Sequence, residues 1–129
     1  MKLTLQEARD QFARAEAESD PAAKLEALEE ALAIVAELLE EPDIPVREAE
    51  IARNVRRSYL RKLLEQLLLM QNVEILEWCG YVRLFLVDQR PEMEAVFAAD
   101  PELRTGFDEF LGLWRAEFHA AFGKDIEQL

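Results

Sequence analysis

The chain has 129 residues, half of them hydrophobic, and its 27 acidic against 15 basic side chains give a net charge of −12. That length and apolar content suit one domain, residues 1–129, able to bury a core without disulfides or metals. Scarce Gly and Pro and abundant Ala, Leu, Glu and Arg argue against a sheet protein. The acidity opposes general gripping of phosphate backbones.

Thr4 opens the first predicted helix, with Glu7 at the spacing of a capping box. Leu5, Ala8, Phe12 and Ala15 fall on one stripe, and the helix should stop near Ser19. Asp20-Pro21 restarts the chain, Asp as cap and Pro at the first helical position. Leu25, Leu28, Leu32, Val35 and Leu39 then mark a coiled-coil-like seam. The short link predicts an antiparallel hairpin, and Ala8, Ala15, Ala27 and Ala31 permit close approach. The hairpin has the size of a tetratricopeptide-type helix pair, but the signature residues and a second copy are missing.

Pro42 and Pro45 bracket a break, read as a hinge at 42–45. A long helix follows from Val46, with a turn or kink expected near Gln71 and Asn72. Residues 67–87 are the most apolar stretch, but Gln71, Asn72, Glu74, Glu77 and Arg83 interrupt it. A membrane span needs about 20 mostly apolar residues, so the stretch is expected to form a central core segment, with no membrane partner. After Pro91 a short helix carries Met93, Val96 and Phe97. Asp100-Pro101 repeats the start signal, and Phe107, Phe110, Leu111, Trp114, Phe118 and Phe122 read as one aromatic face of a last helix. The expectation is an all-α, compact bundle of five or six helices.

Chemistry is sparse in this pattern. His119 is the single histidine, and its reading as a base oriented by Glu117 or Asp108 is weaker than that of a boundary residue. Glu117 and His119 have the wrong spacing for a di-metal bundle, and one Cys with one His builds no zinc cluster. Cys79, beside Trp78 and Gly80, reads as packing. Its solitude precludes an internal disulfide, and the opening residues hold no signal-peptide core, so a cytoplasmic location is expected. Gly80, Gly106, Gly112 and Gly123 are isolated and form no phosphate loop. The expectation is a protein without catalytic residues, cofactor or metal.

Charge segregation is the informative feature. Residues 46–62 hold Arg47, Arg53, Arg56, Arg57, Arg61 and Lys62 against only Glu48 and Glu50, whereas both flanks are strongly acidic. Arg53, Arg56, Arg57 and Arg61 share one helix face, and Ile51, Val55, Tyr59 and Leu63 the other. The Arg sector continues along the helix as Leu60, Leu64, Leu67 and Leu68, so its second half should enter a core or interface. Three readings follow: neutralisation of the acidic hairpin, a docking face for an acidic partner or second copy, or phosphate contact with Tyr59 as a base-stacking ring. The candidate set is Arg53, Arg56, Arg57, Tyr59, Arg61 and Lys62. The expected function is a non-enzymatic helical interaction module, an adaptor, chaperone-like or regulatory subunit, forming a homodimer or stable complex. The alternative is a small subunit of a nucleoprotein assembly, disfavoured by net charge. A third class would bind an apolar small molecule around Trp78, Tyr81 and Trp114.

Overall fold

The computed structural model describes residues 3–70 and 72–129. All regular structure among them is helical, and the chain divides into two compact units, residues 1–67 and 68–129. The break at 42–45 lies inside the first unit.

In the first unit, α1 (Leu5–Ala17) begins with the expected capping box. The Glu7 amide donates to Thr4 Oγ1 at 3.2 Å, and the Thr4 amide donates to Glu7 Oε2 at 3.3 Å. Helix α2 (Pro21–Glu40) starts at Asp20, whose Oδ2 accepts from the Ala23 amide at 2.9 Å. The Gln11 side chain donates to Glu30 at 2.9 Å. Their near-equal distance in sequence from the connecting turn is that of an antiparallel pair. Ala8, Ala15 and Ala31 are fully buried, which lets the two backbones approach closely.

The seam of α2 buries Leu25, Leu28, Leu32, Val35 and Leu38. Leu39, expected at its end, is only half-buried. Leu38, the residue before it, is buried instead. Helix α3 (Val46–Leu68) is built from good helix formers without an internal Gly or Pro. It begins just past Pro45, whose carbonyl accepts from the Ala49 amide at 2.9 Å. Near its other end Gln66 Nε2 donates to the Pro21 carbonyl at 3.5 Å, tying α3 to the start of α2.

The apolar stretch 67–87 is not one central helix. Helix α3 ends at Leu68, Leu69 forms a turn, and α4 (Ile75–Arg83) begins after the non-helical residues 72–74. The turn expected at Gln71 lies outside the described residues; Asn72 is non-helical. Leu69 and Leu76 are 76% and 82% exposed, so apolar composition alone does not put this stretch inside.

A π-helical turn, Leu84–Asp88, continues α4, with the Gln89 amide donating to the Leu84 carbonyl at 2.8 Å. Pro91 lies just beyond; it has no amide to return to Val87 and its ring crowds that carbonyl, so the ladder loosens there. Helices α5 (Arg90–Ala99), α6 (Pro101–Gly112) and α7 (Arg115–Phe122) follow, then a 3₁₀ turn, Ile126–Gln128. Asp100 caps α6 as expected, accepting from the Leu103 amide at 3.2 Å.

The last helix of the sequence reading is two helices. The chain breaks after Gly112, and Trp114 becomes the cap of α7 with φ −126° and ψ 18°. This division makes seven α-helices among the described residues instead of five or six. It also scatters the expected aromatic face. Phe107, Phe110, Leu111 and Phe118 are buried, Trp114 is half-buried and Phe122 is 61% exposed. Trp114 owes its place to a hydrogen bond from its indole to the Val73 carbonyl, 2.9 Å.

The core of the second unit is aromatic. Trp78 is fully buried and its indole donates to the Phe110 carbonyl at 2.7 Å, satisfying its one donor. Phe107 meets Phe85 edge-on at 5.7 Å and stacks on Phe97 at 5.3 Å. Gly106 allows close approach: a Cβ there would stand 2.8 Å from Leu68 Cδ1. Gly123, at φ +68°, ends α7 in the left-handed conformation that favours glycine.

Candidate functional site

The basic stretch of the sequence becomes one side of α3. Its buried stripe comprises Ala49, Ala52, Tyr59, Leu60, Leu63, Leu64 and Leu67. The apolar continuation of the Arg sector therefore enters the core as expected: Leu60, Leu64 and Leu67 are buried and Leu68 half-buried.

The candidate residues part company within that geometry. Arg53, Arg57, Arg61 and Lys62 are exposed. Arg61 bonds Glu65 at 3.0 Å, one helical turn on, and Lys62 reaches the same carboxylate at 3.7 Å. Such exposed intrahelical pairs hold side chains loosely and contribute little. Arg56 behaves differently. It stands one turn from Ala52 and one turn from Tyr59 and Leu60, so helical periodicity carries it along the buried stripe. It is half-buried, and its Nε is enclosed by protein.

Tyr59 does not belong to an exposed face. It is 4% exposed and stacks on Phe12 of α1 with ring centroids 4.4 Å apart and planes within 10°. Burial raises its phenol pKa, with Arg9 pulling it down and Glu16 pushing it up. A ring committed to Phe12 has no face for a nucleobase. Ile51, expected on the apolar side, is 41% exposed because the buried stripe runs along the flank next to the arginines.

Clefts open among the described residues of the second unit. One, ≈ 290 Å³, lies among Asn72, Val73, Glu74, Leu113 and Trp114. Another, ≈ 240 Å³, lies between α4 and α7, with Trp78, Cys79, Phe118 and Phe122 among its walls and Arg83 and Lys124 in its lining. Sequence reasoning grouped Trp78 with Tyr81 and Trp114. The structure keeps Trp78, puts Trp114 at the first cleft, and supplies Phe118 and Phe122 from α7. Gly112, just before the helix break, was the available signal that Trp114 and Phe118 need not share a helix.

His119 is exposed on α7. Near it Arg115 holds Asp125 at 3.1 Å and Glu127 at 2.6 Å. The Asp125 carboxyl is held below its usual range by a hydrogen bond shared with Glu127, by the Ile126 amide and by the Arg115 guanidinium. These groups clasp the 3₁₀ turn and its buried Ile126 against α7. Among the described residues no group of three or more His, Cys, Asp or Glu side chains could hold a metal ion, and no helix is long and apolar enough to cross a membrane. Comparison with protein-family models, curated proteins and solved structures finds no match.

Proposed function

We propose that the chain is a non-enzymatic protein-interaction module that engages an acidic protein surface through the exposed edge of α3. The observation that carries this reading is the row Arg53, Arg57, Arg61 and Lys62, exposed on a helix whose next two turns turn inward. The row stands in a chain of net charge −12, so it is where an acidic partner meets least repulsion. A second copy supplies such a surface: residues 1–45 carry twelve acidic and four basic side chains. The burial of Tyr59 against Phe12 favours a protein partner over a nucleic acid, since it removes the stacking ring from the basic edge.

Sedimentation velocity tests the reading. The wild-type chain should self-associate at micromolar concentration and dissociate as salt rises, because the contact is between exposed charges. Arg53→Glu/Arg57→Glu should stay monomeric with an unchanged helical spectrum. A variant that associates as the wild type does refutes self-association through the α3 edge. Poly-glutamate and a single-stranded oligonucleotide, titrated in parallel, separate carboxylate from phosphate recognition. Tighter binding of the oligonucleotide would replace this reading with the nucleoprotein one.

A further inference from the structure

We propose that the ≈ 240 Å³ cleft between α4 and α7 binds a small amphiphilic carboxylate, its aliphatic chain among the aromatic walls and its headgroup beside Arg83 and Lys124. The walls are built for an apolar body. Trp78 is fully buried, Phe118 is 5% exposed, and their rings meet edge-on at 6.1 Å. Phe118 and Phe122 lie 4.8 Å apart, with Phe122 left 61% exposed. The Trp78 indole hydrogen is already given to the Phe110 carbonyl, so the aromatic walls ask for no hydrogen bond from a ligand. Of these rings it is Phe122 that faces water, and an aliphatic chain laid in the cleft covers it.

The charges select the sign of the headgroup. Residues 68–129 hold five basic and twelve acidic side chains. Arg104 is drawn to Asp108 at 3.1 Å, and Arg115 to Asp125 and Glu127. The charged side chains of the cleft, Arg83 and Lys124, both come from the basic minority and no Asp or Glu side chain lines it; Val82 and Leu129, the last residue of the sequence, complete the lining. Arg83 reaches Asp88 only at 4.0 Å and is 74% exposed, so its guanidinium can turn to a ligand without breaking a strong pair. The volume falls below the ~300–1,000 Å³ of pockets for drug-sized ligands, which points to a single short alkyl chain and not to a nucleotide or large cofactor.

Sodium decanoate, kept below its micelle concentration, is the probe. Titration calorimetry should show saturable binding that weakens with salt. Decanol should bind roughly five- to tenfold less tightly, the loss expected for two exposed charge contacts. Arg83→Gln/Lys124→Gln should lose a similar factor for decanoate while leaving decanol unaffected. Cys79 lies in the cleft and is the only cysteine, so decanoate should also slow its reaction with a maleimide. Absence of saturable binding and of Cys79 protection overturns the proposal. So does equal affinity for decanol and decanoate, or a double variant, folded by its helical spectrum, that binds decanoate as the wild type does. An acidic amphipathic peptide that protects Cys79 where decanoate does not would also overturn it, and would make the cleft a peptide-docking site.

Discussion

Arg56 and Arg53 stand less than one helical turn apart and should respond unequally to substitution. Arg56 runs along the buried stripe of α3, half-buried with an enclosed Nε, while Arg53 is exposed. An arginine stem carries three methylenes, each worth about 0.8 kcal/mol when fully buried. At half-burial, Arg56→Ala should therefore cost about 1–2 kcal/mol through lost packing alone. Arg56→Glu also places a carboxylate in the enclosed position, and should cost about 2–4 kcal/mol. Arg53→Glu changes an exposed charge and should stay within about 0.5 kcal/mol.

Urea unfolding followed by far-ultraviolet circular dichroism measures the difference. With a slope of about 1–3 kcal/mol per molar for small proteins, Arg56→Ala should lower the midpoint by about 0.5–1 M. Trp78 and Trp114 both lie in the second unit, so tryptophan fluorescence reports that unit while dichroism reports both. The Arg56 effect should appear first in the dichroism. Equal midpoints for Arg56→Ala and Arg53→Glu would refute the inward placement of Arg56 and restore a single exposed arginine face.

The aromatic residues of the second unit should also separate. Phe118→Ala removes a buried ring and should cost about 3–5 kcal/mol in thermal or urea unfolding, whereas Trp114→Phe loses one hydrogen bond to Val73 and should cost about 1 kcal/mol. Gly80→Ala should stabilise the chain by about 0.5–1 kcal/mol, because Gly80 is inside α4, has no positive φ, and a Cβ there meets nothing within 4 Å; a lowered melting temperature would contradict that open space. The Asp125 carboxyl has a depressed pKa, so its contribution to the clasp is present above the ordinary carboxylate value of about 4 and is lost as pH falls through the folded value. Methyl resonances of Ile126 should move toward exposed values over that acidic range, and Asp125→Asn should give the shifted position already at neutral pH.

The elements of this protein were legible where the signal is local. Thr4 with Glu7, Asp20 with Pro21, and Asp100 with Pro101 start helices through bonds made within one turn, so no distant contact is needed to read them. Leu25, Leu28, Leu32 and Val35 of α2, though not Leu39, and the inward turn of Leu60, Leu64 and Leu67 follow from helical periodicity alone. Periodicity fails at helix breaks, because it assigns faces only while the helix continues. The break after Gly112 sent Trp114 to the Val73 carbonyl and Phe122 to the mouth of a cleft, although both fit the same stripe as Phe118.

The candidate site divided for the same reason. Sequence alone placed six basic residues in one stretch of helix, since charge and helical spacing are properties of the chain itself. Which flank of that helix would be buried depends on what packs against it. The stacking of Tyr59 on Phe12 and the tie from Gln66 to Pro21 orient α3 so that Arg56 is half-buried while Arg53, Arg57 and Arg61 remain exposed. The apolar cleft was equally out of reach, because its walls come from residues some forty positions apart that only the packing of α4 and α7 brings together.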